Sequence, residues 1–345
     1  MSFSDRPSTL PFELVHEIVR ASLDFVAVNR APGLNTKPPW DSISSLSLTC
    51  KAIRRLVLRA WFCRLYTENP EDTTQLTRRI AQVEKAWVKY IHCVQMDREN
   101  SPCDFVTPWN FEGYCQLETV RLDWISPVTT SAGFDPFVNA PSTIVNFDLR
   151  GRYWPIPSTY SFIPRCLPFI RNLILYQQEV WCGLCFTVNE VELRKPISHR
   201  IQYDSGFGLP IHYAKVLEPL SFLDHVSIKI PVYDSGSISM SESSNYYMWS
   251  GECDSCQSLL LADRSFADGY VSRKQQGIIR LADGTEHRWK QPPSLRSVEW
   301  IFIPATADDA RNLFHFGAEI SGIGDNSSDS EREEDGHDVI ATSSD

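Results

Sequence analysis

The sequence predicts an α/β chain in three parts: a helical module over 1–65, a repetitive, irregular α/β body of solenoid type over 66–324, and a disordered acidic tail over 325–345. Three observations predict it. Apolar residues recur at helical spacing on both sides of a Pro/Gly/Asn-rich break near the start of the chain. A short apolar pattern then returns at a nearly constant interval, and the final stretch is acidic, serine-rich and almost free of apolar side chains.

The first helix is set up by Thr9 as N-cap, Pro11 in the first turn, where a missing N–H costs nothing, and Glu13 at the positive end of the helix dipole. Leu14, Ile18, Ala21 and Phe25 recur at helical spacing, and Val15, Val19 and Ser22 widen the stripe beyond what one neighbouring helix covers. Apolar surface is therefore left for a partner. After the break from Asn29 to Trp40, a second helical pattern puts Leu46, Cys50, Ile53, Val57 and Ala60 on one face, with Lys51, Arg54, Arg55 and Arg59 around the rest. Asn69-Pro70-Glu71-Asp72 starts a further helix, expected from Glu71 to about Lys89.

From there the pattern is an apolar residue, two free positions, a second apolar residue, one free position and a third. It occurs as Ile91/Val94/Met96, Leu117/Val120/Leu122, Ile144/Phe147/Leu149 and Ile170/Leu173/Leu175, so that the middle positions Val94, Val120, Phe147 and Leu173 are almost evenly spaced. Val188/Val191/Leu193, Leu223/Val226/Ile228 and Leu295/Val298/Trp300 follow at irregular intervals. The second and third positions share a strand face, and the first precedes the strand where the chain bends inward. Residues beside them are mostly polar and are expected on an exposed concave face, Gln95, Arg121, Asp148, Glu192 and Ser227 among them.

Composition bounds the function. The 345 residues are 42% hydrophobic and 12% aromatic, ample for a packed core. Of the net charge of -10, -7 lies in 325–345, so the rest is nearly neutral and carries no basic stripe; nucleic acid is not an expected partner. The N-terminus has no apolar core of signal-peptide length, and no run approaches the roughly eighteen apolar residues of a membrane span. The expectation is a soluble intracellular protein, cytoplasmic or nuclear, with no membrane partner. In that setting its 10 cysteines are expected as free thiols.

Leu10-Pro11-Phe12-Glu13-Leu14 followed by Leu46-Ser47-Leu48-Thr49-Cys50-Lys51-Ala52-Ile53-Arg54 resembles the F-box, the helical module by which substrate receptors hang on the Skp adaptor of a cullin-RING ubiquitin ligase. The resemblance covers about one sixth of the chain. It implies adaptor contacts at Leu10, Pro11, Glu13, Leu14, Ile18, Leu46, Leu48, Cys50 and Ile53. Two departures are visible: the connection from Leu23 to Ser45 is longer than usual, and Ile53 stands where the family commonly has tryptophan. The later apolar pattern is the leucine-rich-repeat arrangement, whose period is about 20 to 29 residues, although the asparagine of standard repeats is missing after the third apolar position. An F-box followed by degenerate leucine-rich repeats is similar to a large fungal family of F-box proteins. The resemblance implies a substrate-recognition subunit of an SCF-type ligase, not itself an enzyme, with an unknown protein substrate contacted through Gln95, Arg121, Asp148, Glu192 and Ser227. The competing readings are a structural or scaffolding repeat protein outside any ligase, an enzyme with a site built from scattered residues, and, for the fold, one ordinary mixed sheet with a helical cap.

No G-x-S-x-G elbow, P-loop, H-E-x-x-H or full G-x-G-x-x-G is present, and the eight histidines are dispersed, His212 and His225 coming nearest to a pair. Cys182-Gly183-Leu184-Cys185 and Cys253-Asp254-Ser255-Cys256 each have the spacing at which two thiolates reach one zinc ion, and together they offer four ligands. The stretch between Cys185 and Cys253 is far longer than usual zinc-module spacing, so partly buried free thiols are expected rather than a shared zinc ion, with no metal or cofactor. Gly277 to Trp289 reads as a hairpin around an Asp-Gly turn, inserted before the last repeat. In the tail, Ser328 and Ser330 each have glutamate three positions on, which suits an acidophilic kinase.

Overall fold

The computed structural model describes residues 11–24, 32–35, 37, 39–79, 84–96, 107–126, 135–152, 156–182, 184–185, 187–189, 200–233, 251–280, 284–288 and 292–305. These all fall in the first of two compact units, Met1–Thr306 and Ala307–Asp345. Thr9, Leu10, Phe25, Val191, Glu192, Leu193 and the tail from Asp325, with Ser328 and Ser330, lie outside the described residues.

Helix α1 (Phe12–Asp24) starts where Pro11 accepts the amides of Leu14 and Val15. The expected second helix is two: α2 (Asp41–Ser47) and α3 (Lys51–Phe62), with Cys50 extended between them. Hydroxyls break the run, since Ser47 Oγ and Thr49 Oγ1 bond back to the carbonyls of Ser44 and Leu46. Val19, Leu23, Ile43, Leu56 and Val57 form a small core among these helices.

Strand β1 (Arg64–Thr67) follows α3 almost directly, so the sheet begins just inside the expected module boundary. Asn69 accepts the Glu71 amide and opens α4 (Pro70–Arg79), which stops well short of the expected Lys89. The Lys89 amide is taken by the Cys63 carbonyl at the entry to the sheet and cannot continue a helix.

The remaining strands are β2 (Tyr90–Met96), β3 (Trp109–Asn110), β4 (Thr119–Ser126), β5 (Phe137–Val138), β6 (Asn146–Arg152), β7 (Asn172–Gln177), β8 (Val180–Trp181), β9 (Val188–Asn189), β10 (Arg200–Asp204), β11 (His225–Tyr233), β12 (Ile278–Arg280), β13 (Glu286–Arg288) and β14 (Ser297–Ala305). Between them lie helices α5 (Phe162–Cys166), α6 (Ile211–Leu217), α7 (Asp254–Ala262) and α8 (Arg264–Gln275). One sheet of eight strands dominates, in the order β1-β2-β4-β6-β7-β11-β14-β10. Its strands are parallel and added in chain order, except β10, which caps β14 antiparallel at the edge. The expected hairpin is β12–β13, with Gly284 at φ 83°.

Strand entry is repeated. The carbonyls of Cys63, Lys89, Glu118, Val145, Arg171 and Asp224 each accept two successive amides of the next strand's entry: 89/90, 118/119, 145/146, 171/172, 224/225 and 296/297. Just before five of these strands, Leu117, Ile144, Ile170, Leu223 and Leu295 donate to the carbonyl three residues back and bury their side chains. This is the inward bend that the apolar pattern implied. Register then aligns Leu65, Ile91, Val120, Phe147, Leu173, Val226 and Val298 across the buried face, evenly spaced in sequence as far as Leu173 and more widely after it.

Five of the seven sequence copies thus hold their register. Ile91/Val94/Met96 does not: Ile91, not Val94, opposes Val120, while Val94 opposes Asp123 on the other face. Val188 lies in β9, which pairs with β8 outside the main sheet. An amide ladder unseen in the sequence crosses the strand starts, Asn172 donating to Asn146 at 2.8 Å and Asn146 to Thr119 at 3.1 Å.

Leu173→Asp places an unpaired charge in the centre of the buried row and should leave little soluble folded protein. Phe222→Ser, at a residue 47% exposed, should melt within about 2 °C of the parent. Equal tolerance in thermal melts would mean the register is wrong.

Candidate functional site

Helices α1 and α3 turn Val19, Leu56 and Val57 inward, which leaves Leu14 and Ile18 on the outer face of α1, 51% and 49% exposed. Leu48, between α2 and α3, is 78% exposed. Pro11, Glu13 and Cys50 are also exposed, while Leu46 and Ile53 are half-buried against the small core. Of the nine expected adaptor contacts, Leu10 alone lies outside the described residues.

The long connection between α1 and α2 is used. Lys37 Nζ sits 4.3 Å from the Trp61 ring centroid and 4.6 Å from that of Phe62, and Trp40 packs edge-on to Trp61 at 5.2 Å. Gly33 donates its amide to Asp123 Oδ2 at 2.8 Å, and its carbonyl lies 3.3 Å from the Tyr66 hydroxyl, which donates to Glu68 Oε1 at 2.5 Å. The helical module is thereby fastened to the polar face of the sheet.

That face is not the open surface expected. Arg121, Asp148 and Ser227 are buried; Gln95 is half-buried, and Glu192 lies outside the described residues. In register, Arg121 stands opposite Asp148 and Asp123 opposite Arg150, a square of alternating charge. Each arginine bonds the aspartate two positions away on its own strand: Arg121 Nε and Nη2 reach Asp123 at 2.7 and 2.8 Å, and Arg150 Nη2 reaches Asp148 at 2.6 Å. Pairing within the sheet is why these charges can be buried at all. His92 contacts Asp123 Oδ2 at 2.7 Å, and since an ionised carboxylate only accepts, the imidazole Nε2 carries the proton.

Burial alone would raise Asp123, but hydrogen bonds from His92 and Arg121 outweigh it and hold the carboxyl at about 2. Burial pushes His92 below its ordinary value against the pull of Asp123. His212 and His225 do not form a pair: His212, on α6, is brought down to about 4 by burial and Lys215, whereas His225, lowered by burial and Arg200, bonds Ser297 Oγ at 2.7 Å.

The four cysteines of the two Cys-x-x-Cys pairs are free thiols, Cys182 buried, Cys185 exposed and Cys253 and Cys256 half-buried, and the fold brings them together. Cys182 follows β8, Cys185 lies in the turn before β9, Cys253 caps α7 and Cys256 is in its first turn, and the four Sγ atoms lie within 4.8 Å of one another. Cys185 Sγ is 3.8 Å from Cys253 Sγ, and the Cys253 amide donates to Cys182 Sγ at 3.4 Å. Burial pushes the Cys182 thiol up to about 11, whereas hydrogen bonds from Thr187 and the neighbouring cysteines overcome burial and bring Cys185 to about 7.

Among the described residues no helix is long and apolar enough to cross a membrane. Compared with protein families, curated proteins and solved structures, the chain matches none.

His92, His212 and His225 all have folded-state values below the ordinary 6.5. The unfolded chain therefore takes up protons first as pH falls, so stability is full above about 6.5 and is lost below it; Asp123 extends the loss from about 4 towards 2. Thermal melts should show Tm falling from pH 7 to pH 4, and His212→Gln should flatten that fall. An unchanged slope would contradict the assignment.

Proposed function

We propose that this chain is the substrate-recognition subunit of an SCF-type ubiquitin ligase, docking on a Skp-type adaptor through the first helices and holding a protein substrate on its sheet body. The observation that carries this reading is the outward exposure of Leu14 and Ile18 on α1 and of Leu48 between α2 and α3, in a helical module that already has its own core and whose sequence holds the Leu-Pro of the F-box-like stretch. Large apolar side chains left outside a module that has its own core suit a protein partner. The near-even spacing of strand entries from β1 to β7 fits a leucine-rich-repeat-like body.

The charged square is closed, so substrate contact moves along the same face to Ile174, Tyr176 and Lys229, which are half-buried. The chemistry of ubiquitin transfer belongs to partner subunits, and this chain contributes proximity, holding a substrate lysine near the charged carrier.

Leu14→Ser, Ile18→Ser and Leu48→Ser together should cut adaptor co-purification at least tenfold, a loss of about 1.4 kcal/mol or more in binding, with Tm within about 2 °C of the parent. Adaptor capture at the parent level, or none by the parent itself, would overturn the docking and favour a scaffolding role.

A further inference from the structure

The two Cys-x-x-Cys pairs lie far apart in the chain, yet the fold delivers both to one corner. Val180–Trp181 leads directly into Cys182, and the chain returns to the same place through Gly251, whose φ is 89° and where an added Cβ would lie 2.6 Å from Val180 Cγ1 and 3.2 Å from the Trp300 ring. Only glycine fits that approach. Glu252, the next residue, is buried and takes the Tyr270 hydroxyl, with Lys274 Nζ at 3.7 Å, which ties α8 to the same corner. Cys253 and Cys256 are therefore held in place from both sides.

We propose that Cys182, Cys185, Cys253 and Cys256 bind one zinc ion as a closed tetrathiolate site. In a tetrahedral site with Zn–S bonds of about 2.3 Å, adjacent sulfurs stand about 3.8 Å apart. The Cys185–Cys253 separation is 3.8 Å, and all four Sγ atoms fall within 4.8 Å of one another. Disulfides within each pair would give the two pairs no reason to converge, and disulfides between the pairs would need sulfurs about 2.05 Å apart, whereas Cys185 and Cys253 stand 3.8 Å apart. The donor set contains no carboxylate or imidazole, and a wholly thiolate set favours zinc over magnesium or calcium.

Binding exchanges four thiol protons for one Zn²⁺ and leaves a net charge of -2 on the site. Two features offset that charge: the N-terminus of α7, a helix of 9 residues, and the Cys253 amide directed at Cys182 Sγ. With four protein ligands no coordination position is open, so the ion's role is structural. It clamps the β8–β9 hairpin to the α7–α8 insertion between β11 and β14.

The test uses the full chain purified with zinc and without chelator. Elemental analysis should find about one zinc per chain, and replacement by Co²⁺ should give the intense visible bands of a tetrahedral tetrathiolate centre, bleached by added zinc. Chelation should lower Tm by roughly 5 °C or more. Cys253→Ser with Cys256→Ser should lose the zinc, whereas Cys115→Ser, at an exposed cysteine outside the cluster, should keep it. If the double variant fails to fold, the cobalt spectrum and chelation of the parent still decide. Less than half an equivalent of zinc with no cobalt bands, a disulfide among these cysteines, or iron in place of zinc would each overturn the proposal.

Discussion

Every strand of the parallel part of the sheet has to enter at the same register, and that constraint organises the molecule. One carbonyl at each strand start receives two amides from the next strand, and before most strands an apolar residue bends inward beneath it. The stretch between successive strands can then vary, short from β4 to β6 and long from β11 to β14, without disturbing the buried row, because the surplus is placed in connections and insertions. The insertion carrying α7, α8 and the β12–β13 hairpin is the largest such surplus.

The same register puts charge opposite charge on the other face. Asp123 is the meeting point: Arg121, His92 and the Gly33 amide all bond it, so the connection between α1 and α2 is held by the sheet. Removing one partner of such a buried pair strands the other charge, which costs several kcal/mol, far more than an exposed pair such as Lys89–Glu118 contributes. Gly33, in the long connection between α1 and α2, is the residue that reaches Asp123.

Much of this was legible in residue patterns, and the failures have physical causes. The copies starting at Leu117, Ile144, Ile170, Leu223 and Leu295 were readable because a bend residue and two same-face residues are all large and apolar. The first was misread because Ile91, Cys93 and Val94 are all buried, on opposite faces, so burial ceased to mark the inner side. Strand β1 was missed because it is short and joins α3 almost directly. Polar residues beside the core looked like surface, although Arg121 and Asp148 satisfy their own strand neighbours and stay inside. The cysteine corner shows the limit most clearly: each pair was visible, but only the fold reveals that the long stretch between Cys185 and Cys253 closes to a few ångströms.

Whether the adaptor is taken by the helical module, as proposed, and not by the sheet is read most directly by hydrogen exchange of the full chain with and without a Skp-type adaptor. Added protection should be confined to Pro11–Ile18 and Leu46–Ile53, with the strands around Tyr176 and Lys229 unchanged. Protection appearing on those strands instead, or nowhere, would contradict docking through the module.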